Sequence, residues 1–157
     1  MRLFGLTLTT LAATAVAFTA LADGHTKALE GAVQARKASM STIGYHTGLL
    51  GAMAKGEAPY DAAIATAAAE NLAAAASMNR IVFWIEGSEQ GAIEGSRAKP
   101  EIWSDAAGFE ESAMALETAA AAMVTAAGTD LESLRAAMGP VGKSCGDCHK
   151  AYRGPRN

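Results

Sequence analysis

The stretch Ser144-Cys145-Gly146-Asp147-Cys148-His149 ends eight residues before the C-terminus and decides how the rest of the chain is interpreted. It contains both cysteines of the 157-residue sequence, and a histidine follows the second directly. C-x-x-C-H is the attachment signature of a c-type haem, in which both thiols bond to vinyl groups and the imidazole becomes an axial iron ligand. Residues three apart share one face of a helix, so both sulfurs can meet one edge of the macrocycle. The motif predicts one covalent haem c on Cys145 and Cys148, with His149 on the iron.

Three other roles for the cysteine pair are open from the motif alone. A thioredoxin-like redox pair is expected next to a strand in a βαβ unit, and nothing near this motif has the pattern of a strand. A zinc site needs two more closely grouped ligands, and the remaining histidines, His25 and His46, lie far upstream. A disulfide between Cys145 and Cys148 would close a very small loop. Haem attachment is therefore the favoured prediction.

The first 22 residues have the organisation of a secretory signal peptide. Arg2 gives a positive start, Leu3 to Phe18 is apolar with interspersed threonines, and Ala20-Leu21-Ala22 offers an A-x-A cleavage site. An uncleaved membrane anchor is the alternative. Because c-type haem is attached outside the bacterial cytoplasm, we expect residues 1–22 to be removed and residues 23–157 to form a periplasmic domain.

Composition points to a single all-α domain. A mature chain of this size can bury one hydrophobic core, alanine is abundant and has the highest helix propensity, and runs of β-branched residues are nearly absent. The formal net charge is −3, and no basic run is interleaved with aromatic residues, so nucleic-acid binding is not expected. No later segment is apolar enough to cross a bilayer.

Apolar residues at alternating steps of three and four predict four helices, which short connections would join into an antiparallel four-helix bundle. The longest connection, residues 86–104, contains three glycines and a proline. Gly139-Pro140 should interrupt and kink the last helix. The predicted helices are Lys27–Lys55, Tyr60–Ile85, Ser104–Ala127 with Ser104 as N-cap, and a last helix from Leu131 that begins with a capping box at Thr129.

The predicted core positions of each helix follow from the same spacing. The last helix places both cysteines on its buried face together with Leu134, Val141 and Tyr152. The inward positions predicted on the other three helices are Val33, Arg36, Met40, Ile43, Thr47, Leu50 and Ala54; Ile64, Ala68, Leu72, Ala75, Met78 and Val82; and Phe109, Ala113, Leu116, Ala120 and Met123.

Over nearly all of the mature region, the chain resembles the cytochrome c′ and cytochrome c-556 family of four-helix-bundle cytochromes. The most specific part of the resemblance is a C-terminal C-x-x-C-H that ends a four-helix chain. The stretches that carry it are Ala35-Arg36-Lys37 with Met40, Lys55-Gly56-Glu57-Ala58-Pro59-Tyr60, Pro100-Glu101-Ile102-Trp103, and Val141-Gly142-Lys143-Ser144-Cys145 through Tyr152-Arg153.

The resemblance implies a role for Met40. In this family, the sixth iron position faces a residue of the first helix four positions after an arginine, which here are Met40 and Arg36. Members called cytochrome c′ usually carry a non-ligating apolar residue there, and their five-coordinate iron binds nitric oxide or carbon monoxide. Members similar to cytochrome c-556 carry methionine, which closes a six-coordinate low-spin iron. The rival ligand His46 lies about 240° round the helix from Met40, so both cannot face the haem.

Two arginines are further candidates for haem contact. Arg36 falls on the inward face, where a lone charge is costly unless it is paired. A haem propionate would pair it, as the matching arginine does in the family, and a surface salt bridge is the alternative. Arg153 lies four residues after His149 and could cover the histidine, meet a propionate or remain solvated.

The expected function is one-electron transfer by a six-coordinate haem with His149 and Met40 as axial ligands. The alternative is a five-coordinate protein that binds or buffers nitric oxide or carbon monoxide. No general base, nucleophile or substrate pocket is evident, so an enzyme is not expected. Redox proteins are the expected partners. Relatives include homodimers and monomers, so the resemblance leaves the oligomeric state open.

Overall fold

The computed structural model describes the backbone of residues 10–156 and the side chains of residues 24–156. The regular secondary structure of the described chain is helical, and its β-structure consists of isolated bridges. Four long helices agree with the predicted all-α bundle, and a single turn, α3, precedes the third of them. The helices are α1 (Thr10–Lys55), α2 (Ala62–Ala76), α3 (Glu101–Ser104), α4 (Ala106–Ala127) and α5 (Leu131–Tyr152), with a 3-10 turn at Arg80–Val82.

The four long helices pack in a ring. α1 lies against α2 and α5, and α4 closes the ring by packing against α2 and α5. Half of the fourteen buried residues in the core inside the ring are alanines, and most of the larger side chains there are fully buried. Small residues let helix backbones approach closely, which accounts for a bundle so rich in alanine. The largest of these buried side chains are Leu50, Leu72, Met123, Leu134 and Val141.

The second helix ends earlier than its predicted end at Ile85. Ser77 terminates α2, and Asn79 then adopts an extended backbone and accepts a hydrogen bond from the Ile81 amide at 3.1 Å. Three residues that were predicted to point inward from the second helix are exposed instead: Ile64 by 52 %, Met78 by 43 % and Val82 by 60 %. The buried face of α2 consists of four alanines and one leucine, namely Ala65, Ala68, Ala69, Leu72 and Ala76.

Caps at the helix ends refine two predictions. Gly56 has φ +78°, a conformation that glycine adopts without strain, and it ends α1 at the predicted turn. Asp105, and not Ser104, caps α4 through the Gly108 amide at 3.2 Å. Asp130, and not Thr129, caps α5 through the Ser133 amide at 2.7 Å.

The proline in the last helix does not interrupt it. α5 runs without a break from Leu131 to Tyr152, with Pro140 inside it. Gly139 and Pro140 are both exposed, so water can reach the carbonyl group that the proline leaves without an intrahelical donor. The predicted kink remains a prediction.

Residues 83–99 form a long connection that we call the covering loop. Gly87 of this loop lies beside the Leu29 side chain of α1. At its other end the loop pairs with the chain after α5, where the Lys99 amide donates to the Tyr152 carbonyl at 3.0 Å and the Gly154 amide donates to the Arg97 carbonyl at 2.7 Å. The covering loop therefore joins the first half of α1 to the end of α5.

The predicted signal peptide falls largely outside what can be described. Residues 1–9 lie outside the described chain, and the expected cleavage point after Ala22 lies within α1, among residues whose side chains are not described. Cleavage stays a prediction. Within the described part of the chain, no helix has both the length and the apolar character needed to cross a membrane.

Candidate haem site

The two cysteines lie on the inward side of α5, where the core divides into two clusters. Cys145 packs against the main core inside the helix ring. Cys148 packs against a second cluster, formed by Ala98, Ile102, Phe109 and Tyr152 with two tryptophans. Both sulfurs are free thiols, so the structure contains no disulfide between them. Burial raises the pKa of both thiols, and for Cys148 the neighbouring Cys145 raises it further.

The surroundings of His149 favour its neutral form, which is the form that can bind iron. Its side chain is half-buried, and burial lowers its pKa, with the positive charges of Arg153 and Arg97 lowering it further. A neutral imidazole has a free nitrogen lone pair, which is what axial coordination of haem iron requires. Among residues 24–156, no three His, Cys, Asp or Glu side chains group closely enough to hold a metal ion.

Two contacts between α1 and α5 establish their register. Arg135 Nε donates to the Ala54 carbonyl at 2.7 Å. Gly51 lies beside Met138, whose Cε would be 3.6 Å from the Cβ of an alanine at position 51. Moving three residues back along α1 corresponds to moving three residues forward along α5, so the two helices are antiparallel.

Continuing this register brings Met40 level with His149. Met40 lies eleven residues before Gly51, and His149 lies eleven residues after Met138. Eleven residues make about three helical turns plus about 20°, so each member of the new pair also keeps the side of its helix that faces the other helix. This register predicts that Met40 and His149 occupy facing positions on α1 and α5; their roles as iron ligands stay a prediction.

Met40 differs from the methionines of the core. Its side chain is 43 % exposed, whereas Met53 and Met123 are 5 % and 0 % exposed. It is therefore not filling the main cluster, which was the alternative explanation for a methionine at this spacing. His46 lies on another side of α1, and its Nδ1 is buried without a hydrogen-bond partner.

The residues between these helices fit a haem. The motif supplies two free thiols and a neutral imidazole on one helix, which are the groups that attach and ligate haem c. Thr47, about 20° round α1 from Met40, has a buried hydroxyl with no hydrogen-bond partner. A buried polar atom is normally satisfied, so this orphan on the same side as Met40 marks a place where a further polar group belongs.

Arg36 is buried, as its position predicted, and it is hydrogen-bonded to the covering loop, while contact with a haem propionate stays a prediction. The side chain is only 6 % exposed, so the alternative of a surface salt bridge is wrong. Its guanidinium donates to the covering loop, reaching Ser88 Oγ at 2.7 Å, the Ser88 carbonyl at 2.8 Å and Ser96 Oγ at 3.2 Å. The loop thus satisfies several of the donors that we expected to meet a haem propionate.

Arg153 is exposed. A second cation near His149, Arg97, was not predicted from the motif. Arg153 acts on the His149 imidazole through its charge and pairs through its backbone with Ala98. Arg97, from the covering loop, binds the Gly154 carbonyl with Nε at 3.0 Å and Nη2 at 2.7 Å. Its place beside α5 depends on the pairing of residues 97–99 with the chain end, for which the sequence carries no local signal.

Cys148 packs against a cluster of aromatic side chains. The Phe109 ring meets Trp84 and Tyr152 edge-on, with ring centroids 4.9 and 5.4 Å apart. Trp103 Nε1 donates to the Trp84 carbonyl at 3.0 Å, and Tyr152 donates its hydroxyl hydrogen to Asp105 Oδ2 at 2.8 Å. These contacts pack the end of α5 against α3, the start of α4 and the covering loop.

Comparison with known proteins agrees with this geometry. The family model described as Cytochrome C′ matches residues 31–153. The chain belongs to the cytochrome c′ family. Proteins of this family carry covalently attached haem c, and this chain accordingly binds a haem c.

Several relatives are similar over most of their length. A cytochrome c-554 from Cereibacter sphaeroides is 43 % identical over 88 % of this chain and 90 % of its own. The solved cytochrome c′ from Rhodobacter sphaeroides has a TM-score of 0.79 and 41 % identity, covering 82 % of this chain and 98 % of that one. A nitric oxide complex of a leucine-to-alanine variant of the cytochrome c′ from Alcaligenes xylosoxidans has a TM-score of 0.72 and 39 % identity, covering 82 % and 97 %.

Proposed function

We propose that the chain binds nitric oxide or carbon monoxide reversibly at its haem, and that the gas takes the position that Met40 otherwise occupies. The observation that carries the proposal is the register that brings Met40 level with His149. The similarity to a cytochrome c′ that was solved as a nitric oxide complex supports gas as the ligand. When bound, haem c supplies an iron that can accept a diatomic gas and can change between Fe(II) and Fe(III).

In this proposal each motif residue has one task. The Cys145 and Cys148 thiols add across the two haem vinyl groups, so that each sulfur forms a bond to carbon and its hydrogen goes to the neighbouring vinyl carbon. His149 ligates the iron from the α5 side. Met40 lies on the α1 side and competes with the gas, because a single position on that side serves both.

The competition has a quantitative consequence. A ligand that binds only one state of a protein has an apparent affinity reduced by the fraction of molecules in that state. If Met40 is bound to iron in nine-tenths of the molecules, the apparent dissociation constant for a gas is about ten-fold higher than without it. The residue at position 40 thus adjusts the gas concentration to which the protein responds.

One-electron transfer with Met40 as a permanent ligand is the second candidate. It was the function favoured by the sequence, and the observation that favours it is the thioether itself, since methionine opposite histidine raises the reduction potential of a haem. The relatives support gas binding better, because those solved as gas complexes belong to the same family. The periplasmic location, the redox partners and a homodimer remain proposals, as does division into a signal peptide (1–22) and a cytochrome domain (23–157).

A gas titration separates the two candidates. The ferrous holoprotein is titrated with carbon monoxide and then with nitric oxide, while the Soret band is recorded. Gas binding predicts saturable spectral shifts with both gases at equilibrium. A permanent electron carrier predicts a low-spin spectrum that does not change with carbon monoxide, and that outcome would replace the first candidate by the second.

A further inference from the structure

Arg36 is the centre of a closed hydrogen-bonded cluster one helical turn before Met40. Besides its three bonds to Ser88 and Ser96, its Nη1 donates to the Phe83 carbonyl at 3.3 Å, and its Cζ lies 4.8 Å from the centre of a Trp84 ring. Ser88 and Ser96 are 0 % and 3 % exposed. Ser96 Oγ donates to the Ser88 carbonyl at 2.6 Å, which closes the cluster.

This cluster solvates a cation with neutral groups. The hydrogen-bond acceptors described for Arg36 are carbonyl and hydroxyl oxygens, and no carboxylate is among them. Burial lowers the pKa of Arg36. A guanidinium has five donors in a rigid fork, so it can hold several loop oxygens at fixed positions at once. The arrangement is that of a clamp between α1 and the covering loop.

The clamp acts on a part of α1 that contacts the covering loop. α2 ends at Ala76, and α1 residues before Met40 contact the covering loop, with Leu29 beside Gly87 and the Lys37 ammonium group close to Gly95. On its other side, the same loop is bound to the end of α5 through Lys99 and Arg97. It therefore links α1 just before Met40 to α5 just after His149.

We infer that Arg36 and Ser88 position Met40 against His149, and that their contact sets how readily a gas replaces Met40. This inference rests on the proposed function, because it needs Met40 and the gas to compete. With the clamp intact, α1 is held at a fixed distance from α5, and the Met40 thioether stays within reach of its position opposite His149. Without the Ser88 hydroxyl, this part of α1 loses an anchor, and Met40 competes less well.

The test is the carbon monoxide affinity of ferrous holoprotein carrying Ser88→Ala. The substitution removes the bond from Arg36 and the bond that Ser88 Oγ donates to the Ile85 carbonyl. Loss of the Arg36 bond alone corresponds to about five-fold, so we expect the apparent dissociation constant to fall by about that factor and the low-spin fraction of the spectrum to decrease. Hydrogen exchange of the loop amides should become faster. The matched control is Ser41→Ala, whose hydroxyl donates to the Lys37 carbonyl on the exposed face of the same helix. It should leave the dissociation constant, the low-spin fraction and the hydrogen exchange of the loop unchanged.

A double variant separates a positioning role from a general loss of stability. If Ser88 acts through Met40, Ser88→Ala has no further effect on carbon monoxide affinity in protein that already carries Met40→Ala. An equal effect in both backgrounds, or an unchanged affinity in the single variant, overturns the inference. The proposed function fails separately, if Met40→Ala alone leaves the affinity unchanged. Should Ser88→Ala not fold, Ser96→Ala removes the 3.2 Å bond and is measured in the same way.

Discussion

Arg135 Nε donates to the carbonyl oxygen of Ala54 at 2.7 Å, and this bond aligns α5 with α1. The alignment matters because residues that are far apart in the chain become neighbours at fixed intervals from it. Fourteen residues before Ala54 is Met40, and fourteen residues after Arg135 is His149. Continued along the two helices, this alignment predicts that Met40 faces His149 at the other end of the bundle.

Covalent attachment through the motif predicts that Cys145→Ala with Cys148→Ala leaves no haem bound after denaturation. Each thiol supplies one bond to the cofactor, and the chain has no other cysteine. The measurement is haem staining of the denatured protein, expressed together with a cytochrome maturation system. Gly146→Ala is the matched control, since it keeps the C-x-x-C-H spacing and a methyl group there meets nothing within 4 Å. Haem that survives denaturation in the double variant would contradict the assignment.

The corrected inward face of α2 predicts unequal effects of two similar substitutions. Leu72 is fully buried and Ile64 is 52 % exposed. Leu72→Ala should lower the free energy of unfolding by about 2–5 kcal/mol, because it removes transfer energy and leaves a cavity. Ile64→Ala should lower it by about 0.5 kcal/mol. Chemical denaturation of both variants checks this, and similar losses would restore the inward position that the sequence predicted for Ile64.

The Tyr152–Asp105 hydrogen bond predicts a stability difference that depends on alkaline pH. The bond to Asp105 raises the pKa of Tyr152 from its ordinary 10.0 to about 12. Because the folded pKa is the higher one, the contribution is fully present below pH 10 and is lost as the pH rises through 12. Tyr152→Phe should therefore lower the melting temperature at neutral pH, and its difference from the parent protein should shrink above pH 10.

The control for this prediction is Tyr45→Phe. Tyr45 is 64 % exposed, so removal of its hydroxyl should leave the melting temperature unchanged across the same range. A difference between Tyr152→Phe and the parent protein that does not vary with alkaline pH would show that Tyr152 contributes packing alone.

Much of the bundle could be predicted from residue spacing, because apolar side chains at steps of three and four identify a helix face whatever the fold. The prediction was wrong on α2, where the pattern carried on through Met78 and Val82 although the helix had ended. The helix had ended at Ser77, and the Asn79 side chain accepts a hydrogen bond from the amide two residues on, which starts a separate 3-10 turn. A hydrophobic pattern contains no signal for this local effect.

The candidate site could likewise be predicted only in part. Cys145, Cys148 and His149 follow from a contiguous motif, and the burial of Arg36 follows from its place on the helix face. The partners of Arg36 could not be found, because Ser88 and Ser96 lie 52 and 60 residues away in a loop without periodicity. Arg97 was missed for the same reason, since its position beside α5 depends on tertiary pairing.

The most direct test of the account is the carbon monoxide dissociation constant of the ferrous holoprotein, measured for the unmodified chain and for Met40→Ala. The account predicts a spectrum with a low-spin fraction in the unmodified protein, a loss of that fraction in the variant, and tighter carbon monoxide binding in the variant, by about ten-fold where nine-tenths of the unmodified protein is low-spin. Equal dissociation constants with the same spin state would contradict it, because Met40 would then have no part in the competition for the position opposite His149.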